Sequence, residues 1–248
     1  MHTARQFQSK FVHRARFGRN LFLAILALVF LSSAFKASAA ASRPVVVELP
    51  LHDTVQPISA AYLKRGLRHA ADIHAQAVVV ELGTPGGLLT STRVMVTSIE
   101  ESEVPVIVYV APSGSRAASA GFFILESADV AAMAPGTNTG ASHPILEGEK
   151  MDPILKQKIE NDAMAFLRSY VSRRGRNVQA AQDAVLNSKS YTDQEALNLK
   201  LIDVISPDIP SLLNHLNGTT VTRFSGAKQV LHTQDANVEI MPPSTRER

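Results

Sequence analysis

Between residues 44 and 205 the chain alternates short, uninterrupted apolar runs with longer stretches whose apolar positions recur at helical spacing. The runs VVVEL (45–49), AVVVEL (77–82), VPVIVYV (104–110) and DVAAMA (129–134) are too short for helices, and the first three are rich in β-branched residues, so all four predict buried strands. Amphipathic spacing predicts helices over 58–75, 88–102, 117–128, 152–174 and 178–187. In YTDQEALNLKLIDVIS, Thr192 and Glu195 form a capping box that opens a short helix before a last strand. Strands apolar on both faces, each followed by a helix, predict an α/β fold with a mostly parallel sheet covered on both sides. Such folds place their sites in loops at the carboxyl ends of the strands. Two Gly-containing turns, 83–87 and 113–116, fall at such ends. Past Asn217 the pattern weakens: TTVTRF and KQVLHT predict a small hairpin around Ser225-Gly226, and MPPSTRER predicts a disordered tail.

The overall charge of +3 changes meaning once it is located. Six basic residues, Arg5, Lys10, Arg14, Arg16, Arg19 and Lys36, lie in residues 1–39, which hold no Asp or Glu. Setting them aside leaves 19 basic against 22 acidic residues, so the body carries about −3 and no nucleic-acid-binding surface is expected. The same leader runs from a basic segment through LFLAILALVFL (21–31) to Ala37-Ser38-Ala39. That order predicts a signal peptide over 1–39, with an uncleaved anchor as the alternative. The body is therefore expected on the periplasmic or extracytoplasmic side. It contains no Cys, hence no disulfide and no thiol nucleophile.

The chemistry centres on SGSRAASAGFFILESAD, residues 113–129. A Ser at a helix start serves as cap, packing residue or nucleophile. Ser119 as nucleophile would have the Ala120 N–H beside it, and the Gly87 N–H from TPGG on an adjacent strand end. Two such donors aimed at one point form an oxyanion hole. A nucleophilic Ser needs a base. His143, Lys150, Lys156 and Lys158 all lie downstream, and a Lys serves where burial disfavours its charge. On a wheel of the 152–174 helix, Leu155, Ile159, Ala163, Phe166 and Tyr170 form the core stripe. Lys158 lies at its border and Lys156 inside its wider arc, so spacing leaves the two open. No metal-ligand spacing or dinucleotide fingerprint occurs, and neither metal nor cofactor is expected.

The segments TPGGLL, AASAG, AMAPGTNTGASHP and YTDQEALNLKLID, in this order, resemble the ClpP-class membrane-associated serine proteases of the nodulation-efficiency (NfeD) family, over about residues 45–218. The resemblance implies a ClpP/crotonase-type fold of stacked βαβ units, with 40–218 as the protease domain and 219–248 as hairpin and tail. It implies a Ser–Lys dyad falling on Ser119 and Lys158, with oxyanion donors at Gly87 and Ala120. It also implies cleavage of apolar segments of membrane-associated proteins, stomatin-like partners and a homo-oligomer. Two departures stand out. Gly83 replaces an Asp often found before Thr-Pro-Gly-Gly, a change expected to loosen that turn. Longer members continue into membrane helices and a small barrel, whereas this sequence stops about where those would start.

Alternatives remain at this stage. Cytosolic ClpP proteases use a Ser–His–Asp triad; His143 is close to the position of their His, but the matching acid position near Ser188 has no carboxylate. A non-catalytic module of the same fold would bind peptide by strand addition. A crotonase-type hydratase is third, disfavoured by the export signal.

Overall fold

The computed structural model describes residues 43–144 and 152–244. The predicted leader, Lys150 and the last four residues lie outside them. Five parallel ladders build a six-stranded sheet in the order β11-β1-β2-β3-β5-β8. Its strands are β1 (Val45–Leu51), β2 (Ala77–Leu82), β3 (Val106–Val110), β5 (Val130–Met133), β8 (Val204–Ile205) and β11 (Asn237–Ile240). Helices α1 (Pro57–Asp72) and α2 (Leu89–Glu100) follow β1 and β2, as the periodicity predicts. The fold class and the βαβ units thus agree with the sequence reading.

Side-chain alternation divides the strands between two cores. Val47, Leu49, Val78, Val80, Val106 and Val108 face one core, and Val46, Val79, Ile107 and Tyr109 face the other. The first core receives α1, α2, α3 (Ala120–Ser127), the C-terminal half of α4 (Pro153–Val171) and α5 (Val178–Leu186). The second is closed by α7 (Ile209–Leu216), which the sequence reading had not placed. Its signals were present: Asp208 caps Ser211 N at 2.7 Å, Pro210 stands in the first turn, and Ile209, Leu212, Leu213 and Leu216 make one apolar face.

Three expectations need correction. The segment 117–128 is not one helix: Arg116–Ala118 is a strand, β4, and the helix begins only after Ser119. β4 belongs to a small second sheet, β4-β6-β7, with β6 (Asn138–Gly140) and β7 (Ser190–Thr192), two short strands that no apolar run predicts. Second, the region after 218 forms the expected hairpin, β9 (Thr220–Thr222) with β10 (Lys228–Val230), but then adds β11 to the main sheet. Met241 is also tied down, its N–H to Glu48 O at 2.9 Å and its carbonyl to the Tyr62 hydroxyl at 2.6 Å. Third, the N-terminal half of α4 does not bury its predicted stripe, and Leu155 is 46% exposed. The Thr192–Glu195 capping box is present at the start of α6 (Asp193–Asn198).

A buried ionic cluster joins the hairpin to the body. The Asp129 carboxylate meets Arg174 at 2.6 Å and Arg223, from the hairpin, at 3.2 Å. Arg176 meets Asp203 at 2.8 Å and donates to the Glu126 carbonyl. The Glu126 carboxyl is itself fully buried without a hydrogen-bond partner, and burial pushes its pKa up to about 8.

Candidate active site

The first turn, Gly83 to Gly87, leaves the carboxyl end of β2. Backbone bonds hold it without a side chain at position 83: Gly83 N to Leu51 O (3.0 Å), Thr84 N to Arg116 O (2.7 Å) and Ala118 N to Thr84 O (3.1 Å). A Cβ at position 83 would lie 2.6 Å from His52 Nδ1, and His52 is itself bonded to Glu81 at 2.8 Å. The next glycines are required by geometry. Gly86 (φ 124°) faces Ser119, where an added Cβ would lie 2.6 Å from the Ser119 Cβ. Gly87 lies against residue 55, where a Cβ would stand 2.1 Å from the Val55 carbonyl oxygen. Val55 N and Leu88 N use the neighbouring acceptors, Gly86 O and Val55 O. Among the described residues no backbone acceptor takes the Gly87 N–H.

The second turn places Ser119 between β4 and α3. Its backbone is left-handed in φ, at φ 53° and ψ −114°, a conformation that costs a non-glycine residue on the order of 1–3 kcal/mol. Three hydrogen bonds hold it there: Ser119 N to Gly140 O (2.9 Å), Phe122 N to Ser119 O (3.0 Å) and Ser142 Oγ to Ser119 O (3.3 Å). The side chain makes no capping bond, so the capping role is excluded. The Ala120 N–H, first of its helix, also lacks a backbone acceptor among the described residues.

Ser119, Ala120 and Gly87 line one cavity of about 300 Å³. Its apolar wall includes Leu88, Phe123, Pro144 and Ile159, and Ser142 adds a hydroxyl. Sequence reasoning did not identify Ser142, whose link to Ser119 depends on β6 pairing with β4. A larger groove of about 580 Å³ lies between the C-terminal ends of α1 and α2, lined by mixed charges such as Lys64, Arg68 and Glu101. It lies apart from both glycine turns, so the smaller cavity is the candidate site.

The three candidate bases are placed differently. Lys158 is on the exposed N-terminal half of α4, next to the cavity-lining Ile159 but not itself in the wall. Lys156 Nζ is 3.6 Å from Glu160 Oε1. His143 has both ring nitrogens engaged: Nδ1 is 3.0 Å from Val185 O and Nε2 is 3.2 Å from Glu160 Oε1. Glu160, not a residue near Ser188, is thus the carboxylate beside His143, a pairing across the fold that sequence spacing did not reveal. Among the described residues there is no group of three or more His, Cys, Asp or Glu side chains arranged to hold a metal ion, and no helix is long and apolar enough to cross a membrane.

Comparison with known proteins places this geometry. Residues 45–239 match the family described as NfeD1b, N-terminal domain. The chain is 32% identical over 233 residues to the membrane-bound protease PH1510 of Pyrococcus horikoshii, covering 93% of this chain and 52% of that one. It is 38% identical over 130 residues to the membrane protein NfeD1b of Bacillus subtilis, covering 52% of this chain and 29% of that one. It therefore spans about half the length, or less, of these relatives. Among solved structures, a lysine-to-alanine mutant of the 1510-N membrane-bound stomatin-specific protease, in complex with a substrate peptide, superposes with a TM-score of 0.77 at 30% identity, covering 83% of this chain and 95% of that one. A serine-to-alanine mutant of the same protease gives 0.76 at 31%, covering 82% and 100%. The chain belongs to the NfeD1b N-terminal domain family and has its ClpP-like α/β fold.

Proposed function

We propose that this domain is a serine endopeptidase acting on the extracytoplasmic side of a membrane, with Ser119 as nucleophile and Lys158 as base. The observation that carries the reading is the strained Ser119 on the wall of a cavity it shares with two donors, the Gly87 and Ala120 N–H groups. Support comes from the relatives: one is named a protease specific for a stomatin homologue, and it has been studied as serine and lysine mutants.

In this reading a substrate carbonyl sits with its oxygen between the two N–H groups. Lys158 Nζ takes the proton from Ser119 Oγ as Oγ bonds to the carbonyl carbon, and the oxyanion is held by the two donors. The proton then passes to the leaving amine as the C–N bond breaks. Water hydrolyses the acyl ester by the same route in reverse. The apolar wall suits a substrate segment that presents an apolar side chain, as in the membrane-associated, stomatin-like proteins proposed as targets.

An amine in water is protonated at neutral pH and accepts no proton. The exposed Lys158 therefore has to be covered, by bound substrate or by a second copy of the chain. That same exposure favours the second reading, a peptide-binding module without catalysis. Labelling with a fluorophosphonate decides between them: the protease reading expects one label, lost in Ser119→Ala, while an unlabelled wild type supports the binding module.

A further inference from the structure

We infer that Glu160 is a positioning residue of this site, fastening the loop that carries Ser142 and Pro144 to the helix that carries Lys158 and Ile159. The inference rests on the reading of Ser119 as nucleophile. His143 lies between Ser142 and Pro144, both of which line the Ser119 cavity. Its Nε2 is 3.2 Å from Glu160 Oε1, and Glu160 directly follows the cavity-lining Ile159. The two side chains are only 21% and 19% exposed, so the contact is shielded. Its surroundings are few: the Val185 carbonyl from α5 faces Nδ1, and Lys156 from α4 faces Glu160. Among the described residues no other charged side chain is within ion-pair reach of either group.

The imidazole of His143 lies between two elements: its Nδ1 edge faces the Val185 carbonyl of α5 and its Nε2 edge faces the Glu160 carboxylate of α4. Removing either side chain is therefore expected to release the 142–144 loop from the helix that carries Lys158 and Ile159, and with it two residues of the cavity wall.

The test is steady-state cleavage of a quenched apolar peptide, using the full chain and variants Glu160→Ala, Glu160→Gln, His143→Ala and the double His143→Ala/Glu160→Ala, each assayed below its thermal transition. A displaced loop is expected to lower kcat by roughly 10–10²-fold in each alanine single, with KM little changed. The double is expected to be no worse than the poorer single. Glu160→Gln should keep most of the turnover, because a carboxamide of the same size keeps a polar partner opposite the imidazole. Unchanged kcat in both alanine singles, multiplied losses in the double, or a loss in Glu160→Gln as large as that in Glu160→Ala would each overturn the inference. Fluorophosphonate labelling of wild type separates the two levels: without a label both readings fall, whereas labelled wild type with unchanged alanine variants removes only the role of Glu160.

Discussion

Gly86 and Ser119 compete for one space. A Cβ on Gly86 would lie 2.6 Å from the Ser119 Cβ and 3.1 Å from its Oγ. The turn after β2 and the turn before α3 can therefore meet only while position 86 has no side chain. Gly86→Ala is expected to push the turns apart and to lower labelling of Ser119 by at least tenfold, a loss of about 1.4 kcal/mol in the barrier. Labelling rates compared at equal protein concentration check it.

The backbone of Ser119 stores strain that the site requires. Glycine adopts positive φ freely, so Ser119→Gly is expected to abolish labelling and to be more stable than Ser119→Ala by about 1 kcal/mol. Urea unfolding of the two variants measures the difference, and equal midpoints would show that the backbone there is unstrained.

How much of this was legible beforehand follows from where each signal sits along the chain. Ser119, Ala120 and Gly87 stand out as candidates through local composition, small residues at strand ends, and the structure lines one cavity with all three. The central strands β1, β2, β3 and β5 are equally plain, because two-sided burial makes runs such as AVVVEL continuous. The split of 116–128 into β4, a turn and α3 was not visible: Ala-Ala-Ser-Ala has good helix propensity, and the partner that makes Arg116–Ala118 a strand lies 22 residues downstream in β6. The Glu160–His143 contact and the pairing of β11 with β1 are long-range in the same way. The exposed start of α4 shows the opposite failure, since its apolar period is present in the sequence but is not buried within one chain.

Glu126 predicts how stability changes with pH. Its folded pKa, about 8, lies above that of a free carboxyl, so the folded state holds this proton more tightly than the unfolded state does. Its contribution is fully present below the ordinary carboxyl range and is lost as pH rises through about 8. Glu126→Gln cannot ionise. Its midpoint temperature should therefore gain on that of wild type as pH rises through this window, and a constant difference would show that Glu126 does not titrate there.

Asp129 holds two guanidinium groups in a buried setting, Arg174 at 2.6 Å and Arg223 at 3.2 Å. Asp129→Asn leaves both without their counter-charge, and removing one member of a buried ion pair costs about 3–5 kcal/mol. Denaturant unfolding is expected to show a loss of that order, with the hairpin at 220–230 gaining protease sensitivity first. A loss confined to a few tenths of a kcal/mol would mean that water reaches the cluster.

The central claim is that Ser119 is activated by Lys158, and peptide cleavage by the lysine variants tests it most directly. A positioned base contributes typically about 10²–10⁴-fold. Lys158→Ala is expected to lose turnover on that scale, and Lys158→Arg should not restore it, because a guanidinium stays protonated. Lys156→Ala, whose Nζ is 3.6 Å from Glu160 Oε1, should keep most of the activity. Cleavage by folded Lys158→Ala at the wild-type rate would contradict the account, and with it the assignment of the base.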